Sequence, residues 1–277
     1  MNCTAPFHVK DKWGRVSEVP CRVCIQCRIR RTALWAKRLL DETTGKDSCY
    51  ITLTYSPEKE PPNRSLSKKD VQKFFKRLRK KIKVPIKYFL CGEYGESGNQ
   101  PHYHAIISGW KPPLHELSRV YSKIFTCDTL NSTWQLGFTQ VGTVTRESCQ
   151  YVTGYIRKKL YGKGKDFYKP RLPPFQLQSL GIGLDYAKQN KERIFSERGD
   201  TVHGKNIGIP EYYSKKLLSE GEKFKRRGKL IKDENEIIKK DFNKDYYAYK
   251  KAREANSLRK EADAIFFENA YHTRDLN

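Results

Sequence analysis

His102 and His104 stand two residues apart in the run Pro101-His102-Tyr103-His104-Ala105-Ile106-Ile107. Ile106 and Ile107 are β-branched, and the segment before the run, Gly95 to Gln100, is rich in Gly, Ser and Asn. This pattern predicts a strand entered from a tight turn. Residues i and i+2 of a strand share a face, so the two imidazoles would project side by side and form half of a metal site. Ile86 to Tyr94 reads as the partner strand of a hairpin. If the loop closes symmetrically, Glu93 falls opposite His102 and Cys91 opposite His104, with cross-strand Cβ atoms roughly 4.5–5.5 Å apart. Two imidazoles and one carboxylate suit Mg²⁺ or Mn²⁺ with open positions for water and phosphate oxygens, although Zn²⁺ or Ni²⁺ would also bind. The competing reading is a pair of surface histidines on an edge strand. A one-residue slip of register would turn Glu93 to the opposite face.

A second group of candidates lies in Cys149-Gln150-Tyr151-Val152-Thr153-Gly154-Tyr155-Ile156-Arg157-Lys158-Lys159. On a helix Tyr151 and Tyr155, four apart, share a face, and Lys158 joins them. A phenol is mostly protonated at neutral pH, with a pKa of about 10. A neighbouring ammonium favours the phenolate, which is a competent nucleophile toward a phosphodiester. A divalent ion that polarises the scissile phosphate supplies the other half of that chemistry. Two tyrosines at this spacing are otherwise ordinary packing. The weight comes from their chemical complementarity to the histidine pair.

A third group is Cys3 with Cys21-x-x-Cys24-x-x-Cys27. Cys-x-x-Cys spacing lets two thiolates reach one ion, and four thiolates make a closed tetrahedral Zn²⁺ site. An iron–sulfur cluster fits less well because the fourth ligand is distant in sequence. The plain alternative is ordinary thiols. The N-terminal residues lack the apolar stretch of a signal peptide, so nothing predicts export. Eight cysteines in an unexported chain are then expected as reduced thiols or metal ligands.

The elements that must position these groups follow from patterning. Ile29, Leu34, Trp35, Leu39 and Leu40 predict an amphipathic helix over 28–40, and Cys49 to Tyr55 predicts a strand ended by Ser56-Pro57. Ser67 predicts an N-cap for a helix with an apolar stripe of Val71, Phe74, Phe75, Leu78 and Ile82. Its other face carries nine cations, among them Lys73, Lys76, Arg77 and Lys80. That density favours a phosphate-tracking surface, to which Lys159 would add. After the hairpin, Pro112-Pro113 predicts a helix through Ile124, and Phe138 to Val144 a strand, starting as early as Trp134. Residues 160–210 read as loop, with a short helix at Gln176 to Leu180, and the chain is charged and helix-favouring from Lys229 onward. His8, His115, His203 and His272 lie outside any site-like context.

The balance of 55 Lys+Arg against 31 Asp+Glu gives a formal net charge of +24 over 277 residues. A surplus that large asks for a polyanionic partner, with nucleic acid first. A membrane surface comes second, but no long apolar stretch is present and the mean hydropathy is −0.80.

These stretches together resemble the HUH endonucleases, specifically the rolling-circle replication initiators of small single-stranded DNA phages of the gokushovirus-type Microviridae. The matching motifs are the strand CYITLTY at 49–55, E-x8-PHYHAII at 93–107 and YVTGYIRKK at 151–159. PCRVCIQCR at 20–28 and IPEYYSKKL at 209–217 also look like that family, and the resemblance runs collinearly over roughly 1–217. It implies an α+β fold, a five-stranded antiparallel sheet with flanking helices related to the ferredoxin-like/RRM architecture. Around that fold the divisions expected are a Cys-rich segment and helix over 1–47, an HUH nuclease core over 48–165, and a loop-rich then helical extension over 166–277. It further implies that His102, His104 and Glu93 ligate Mg²⁺ or Mn²⁺. Tyr151 or Tyr155 would attack an origin phosphodiester, leaving a 5′-phosphotyrosine and a 3′-OH primer, with Lys158 steadying the phosphate or phenolate. The second tyrosine could cleave after one round and release a joined circle. If one tyrosine acts alone, the Tyr155-x-x-Lys158 spacing favours Tyr155. The implied partners are single-stranded origin DNA and a host helicase and polymerase in the bacterial cytoplasm. No Walker-type run is present, and rejoining would need no ATP. A reading from another class is a non-catalytic, zinc-containing nucleic-acid-binding protein.

Overall fold

The computed structural model describes residues 3–10, 14, 16–95, 100–121, 124–158, 167–196, 201–202, 205–206 and 208–274. The chain divides into two compact units, Thr32–Pro210 and the combination of Met1–Arg31 with Glu211–Asn277.

The first unit is built on an antiparallel sheet. Its central strand, β3 (Ser48–Tyr55), pairs on one side with β5 (Pro101–Ser108) and on the other with β8 (Gly137–Thr143). Beyond β5 lie β4 (Lys87–Tyr94) and β9 (Phe175–Gln178); beyond β8 lie β7 (Ile124–Cys127) and β6 (Leu117–Tyr121). The order is β6-β7-β8-β3-β5-β4-β9, so the sheet has seven strands rather than the expected five. Both outer additions fall where the sequence predicts helix. Phe175–Gln178 covers the free edge of β4, and the Ser179 N–H extends that pairing to the Tyr88 carbonyl at 2.8 Å. The segment after Pro112-Pro113 makes one 3₁₀ turn, Leu114–Glu116, and then the β6–β7 hairpin. A helix that the pattern does not predict, α3 (Asp128–Trp134), follows it. Trp134 therefore ends a helix instead of opening a strand, and the Gly137 backbone passes too close to Ser56 for any side chain, since a Cβ there would lie 2.2 Å from the Ser56 nitrogen.

Alternation along the strands creates two faces. Ile51, Leu53, Tyr55, Tyr103, Ala105 and Ile107 point to one and pack against α2 (Lys68–Ile82) and α3. Val71, Phe74, Phe75 and Leu78 of α2 are buried there, and Ser67 caps the helix by accepting from the Asp70 N–H. The opposite face carries Phe89, Cys91 and Ile106, covered by Leu39 of α1 (Ile25–Thr43) and by Cys149, Val152 and Tyr155 of α4 (Arg146–Lys158). Two short helices, α5 (Leu184–Gln189) and α6 (Lys191–Ser196), and the two-residue strands β10 (Thr201–Val202) and β11 (Lys205–Asn206) complete this unit.

The other unit holds a hairpin of β1 (Phe7–Lys10) and β2 (Val16–Val19), the start of α1, α7 (Glu211–Leu217) and two long helices, α8 (Glu220–Asp241) and α9 (Tyr246–Arg274). Helix α8 opens with a capping box between Ser219 and Glu222. Its Glu234 accepts from Tyr249 Oη at 2.8 Å and from Arg253 at 3.1 Å, which ties the two helices together. Among the described residues no helix is long and apolar enough to cross a membrane.

Candidate active site

The β4–β5 hairpin has the register expected from symmetric closure, with Glu93 opposite His102 and Cys91 opposite His104. Two rows of side chains thus cross one sheet face: Phe138, Thr54, His102, Glu93, and beside it Gln140, Thr52, His104, Cys91. The first row ends at a carboxylate because Glu93 is the one acidic position of β4, and burial makes it an acceptor that must be partnered. Its Oε1 lies 2.8 Å from His102 Nε2 and 3.4 Å from His104 Nε2. One ligand atom from each of the three residues falls within 4.8 Å of the others.

The far nitrogens of both rings are already engaged. His102 Nδ1 lies 3.1 Å from the Gln100 carbonyl oxygen. That carbonyl and the Glu93 carboxylate only accept, so a neutral His102 has a proton for one of the two contacts. A cation between Nε2 and Glu93, with the ring proton given to Gln100, satisfies both. His104 Nδ1 lies 2.7 Å from Tyr50 Oη and 3.0 Å from Thr52 Oγ1. A hydroxyl donates or accepts, so His104 keeps a partner in either tautomer and can turn a lone pair toward Glu93. The donor set therefore fits a divalent cation. Burial pushes the Glu93 carboxyl up, but hydrogen bonds from His102, His104 and Tyr155 outweigh it and hold its pKa at about 2.

Helix α4 lays both tyrosines over this triad. Tyr155 is buried, stacks parallel on the His104 ring at 5.3 Å and hydrogen-bonds Glu93. Burial, followed by the Glu93 charge, pushes its phenol well above the ordinary tyrosine range. Tyr151 is 51% exposed, sits edge-on to His104 at 5.2 Å and lines the adjoining cleft. Lys158 ends α4, but its side chain and all of Lys159 lie outside the described residues. The cleft has a volume of about 590 Å³, and Thr52, Thr54, Gln100 and Gln140 contribute polar walls beside the two histidines.

The basic helix α2 is not part of this cleft. It covers the opposite face of the sheet, where Lys73, Lys76 and Lys80 are exposed. Arg77 is committed to structure, donating to the Thr133 and Trp134 carbonyls at the end of α3 at 2.9 and 3.2 Å. The sulfurs of Cys3, Cys21, Cys24 and Cys27 do come together, in the other unit. Sequence reasoning passes over Tyr50, Thr52, Gln100 and Phe138. The signal for the first two is present in CYITLTY, where Tyr50, Thr52 and Thr54 alternate with apolar residues on the face shared with His102 and His104.

A test of the outer contact is Tyr50→Phe. Burial first of all keeps this phenol protonated and fit to bond His104. Its loss is expected to weaken divalent-metal binding by roughly ten- to a hundredfold. Isothermal titration with Mn²⁺ measures this, and saturating metal should restore activity.

The sheet, the hairpin triad and the tyrosine helix define a replication-associated protein: the chain belongs to the replication-associated protein ORF2 family, whose profile matches residues 48–160. It is 34% identical over 222 residues to the replication-associated protein ORF2 of Spiroplasma virus 4, covering 73% of this chain and 68% of that protein. It is 31% identical over 210 residues to the replication-associated protein VP4 of Bdellovibrio phage phiMH2K, covering 70% and 65%. With the replication-associated protein ORF4 of Chlamydia phage 1 the figures are 26% over 223 residues, 74% and 56%. No solved structure matches.

Proposed function

We propose that this protein initiates rolling-circle replication as a metal-dependent, site-specific nickase and joining enzyme for single-stranded DNA. The observation that carries this reading is the convergence of Glu93, His102 and His104 with Tyr151 and Tyr155 on one sheet face, at the wall of an open polar cleft. A divalent cation held by Glu93, His102 and His104 would polarise the scissile phosphate and offset the Glu93 charge that keeps Tyr155 protonated. Tyr155 attacks first, because its hydroxyl already stands against Glu93, the nearest carboxylate able to take its proton. The phenolic oxygen bonds to phosphorus and the 3′ oxygen leaves, taking up a proton to become a 3′-OH. The 5′ phosphate stays on the tyrosine. The phosphotyrosine ester keeps the energy of the broken bond, so a later 3′-OH can displace the tyrosine and close a circle. Tyr151, on the same face and open to the cleft, is placed to cleave after one round.

The strand is held by the polar cleft and by Phe138, 65% exposed and two strands from His102 in the same cross-sheet row. A ring in that position offers a platform for a base. Phe138→Ala should cost about 1–3 kcal/mol of oligonucleotide binding, roughly 5- to 150-fold. Fluorescence anisotropy without metal reads this, and the fold should not change because the ring is exposed.

The direct test of the reaction uses single-stranded DNA of the parent genome's origin region, protein and Mg²⁺ or EDTA, followed by a polymerase and labelled nucleotides. Metal-dependent cleavage to an end that the polymerase extends is the expected result. Fragments with blocked 3′ ends would contradict the proposal.

A further inference from the structure

We infer that Cys3, Cys21, Cys24 and Cys27 hold one structural Zn²⁺ ion that folds the N-terminal segment of the chain. Four thiolates around zinc, each about 2.3 Å from the metal, lie about 3.8 Å from one another at tetrahedral corners. The Cys21 and Cys27 sulfurs are 4.0 Å apart, as are those of Cys3 and Cys24, and all four lie within 4.8 Å of one another. These separations are far beyond a disulfide bond, and all four thiols are free.

The backbone around the cluster is arranged for sulfur that carries charge. The Cys21 N–H donates to Cys3 Sγ and the Cys24 N–H donates to Cys21 Sγ, both at 3.3 Å. Arg22 adopts φ +65°, which folds the chain back between Cys21 and Cys24 so that the second of these bonds can form. Cys27 then sits in the first turn of α1, where unpaired N–H groups favour negative charge.

The segment also lacks another means of holding its shape. Among the described residues from 3 to 24 only Cys21 is buried. Phe7, Val9 and Val16 of the β1–β2 hairpin are 60%, 50% and 57% exposed, so no apolar core supports it. Small segments of this kind draw their folding energy from a metal, with the thiols releasing their protons as it binds. The inference does not depend on the nickase reading, since it concerns a different unit of the chain.

The experiment uses the full chain carrying His102→Ala and His104→Ala, so that metal at the active site does not contribute. Metal analysis by mass spectrometry should find one zinc per chain and none after Cys24→Ser with Cys27→Ser. Replacing the metal by Co²⁺ with all cysteines intact should give thiolate-to-cobalt charge-transfer absorption and the intense visible bands of a tetrahedral ion. The cobalt spectrum decides the matter even if the serine variant does not fold. Iron in place of zinc, a disulfide among the four cysteines, zinc retained in the serine variant, or cobalt without thiolate bands would each overturn the inference.

Discussion

Tyr151→Phe combined with Tyr155→Phe is expected to abolish the detergent-stable protein–DNA adduct while leaving DNA binding in place. The double variant keeps all the aromatic packing, namely the 5.1 Å contact between the two rings and their contacts at 5.2 and 5.3 Å with His104. It removes only two hydroxyls. One of them, on Tyr155, hydrogen-bonds Glu93, and losing it costs about 1 kcal/mol, too little to unfold the chain. The nucleophile, by contrast, has no replacement on that face. The single variants should differ. Tyr155→Phe loses the first cleavage, because Tyr155 is the phenol held against the metal-binding carboxylate. Tyr151→Phe forms the adduct but fails to release joined circles. Denaturing gels of end-labelled origin DNA separate these outcomes. An adduct that survives in the double variant would mean that another residue attacks.

The second large effect is expected from His102→Ala with His104→Ala. These residues supply two of the three ligand atoms that lie within 4.8 Å of one another. Removing an outer contact of a metal ligand costs up to about a hundredfold in affinity, and losing two ligands should exceed that. Adduct formation should fall to the level seen with EDTA, and added Mn²⁺ should not restore it. Glu93, buried and accepting from both histidines, would keep Tyr155 as its partner. Glu93→Gln is therefore the companion variant: it keeps the shape, removes the charge and should also lose metal. Activity that persists in the histidine variant would make the cation dispensable and leave Glu93 and the tyrosines as ordinary packing. DNA binding without cleavage in the unaltered protein would instead favour a non-catalytic nucleic-acid-binding role.

The centre of the fold is legible in the sequence because its signals are local. Alternating apolar residues mark β3, the Gly/Ser/Asn-rich turn fixes the hairpin, and symmetric closure of that hairpin sets Glu93 against His102. The spacing of Tyr151 and Tyr155 is equally local, and α4 puts both rings beside His104. The edges are not legible. Leu114, Leu117, Val120, Tyr121 and Ile124 fall at helical intervals, yet β7 is drawn into the sheet by the open edge of β8, a partner that is distant when the sequence is read in short windows. For the same reason Gln176 to Leu180 reads as helix, whereas Phe175–Gln178 completes the β4 edge. Helix α3 is hidden by its cap: Cys127 Sγ accepts from the Leu130 N–H, a role for which Ser, Thr, Asp or Asn would have been the signal. The cations of α2 are easy to see, but no pattern in the helix itself tells which face of the sheet it will cover, and it covers the one away from the triad.

The most direct measurement is the mass of the attached residue. Protein trapped on origin single-stranded DNA with Mn²⁺ would be digested with nuclease and then trypsin, and the peptide spanning residues 147–157, which holds both tyrosines, fragmented in the mass spectrometer. The account predicts a nucleotide phosphate ester on Tyr155 or Tyr151, formed with metal and absent with EDTA. A nucleotide found on any other residue, or cleaved DNA with no nucleotide on the protein, would contradict it.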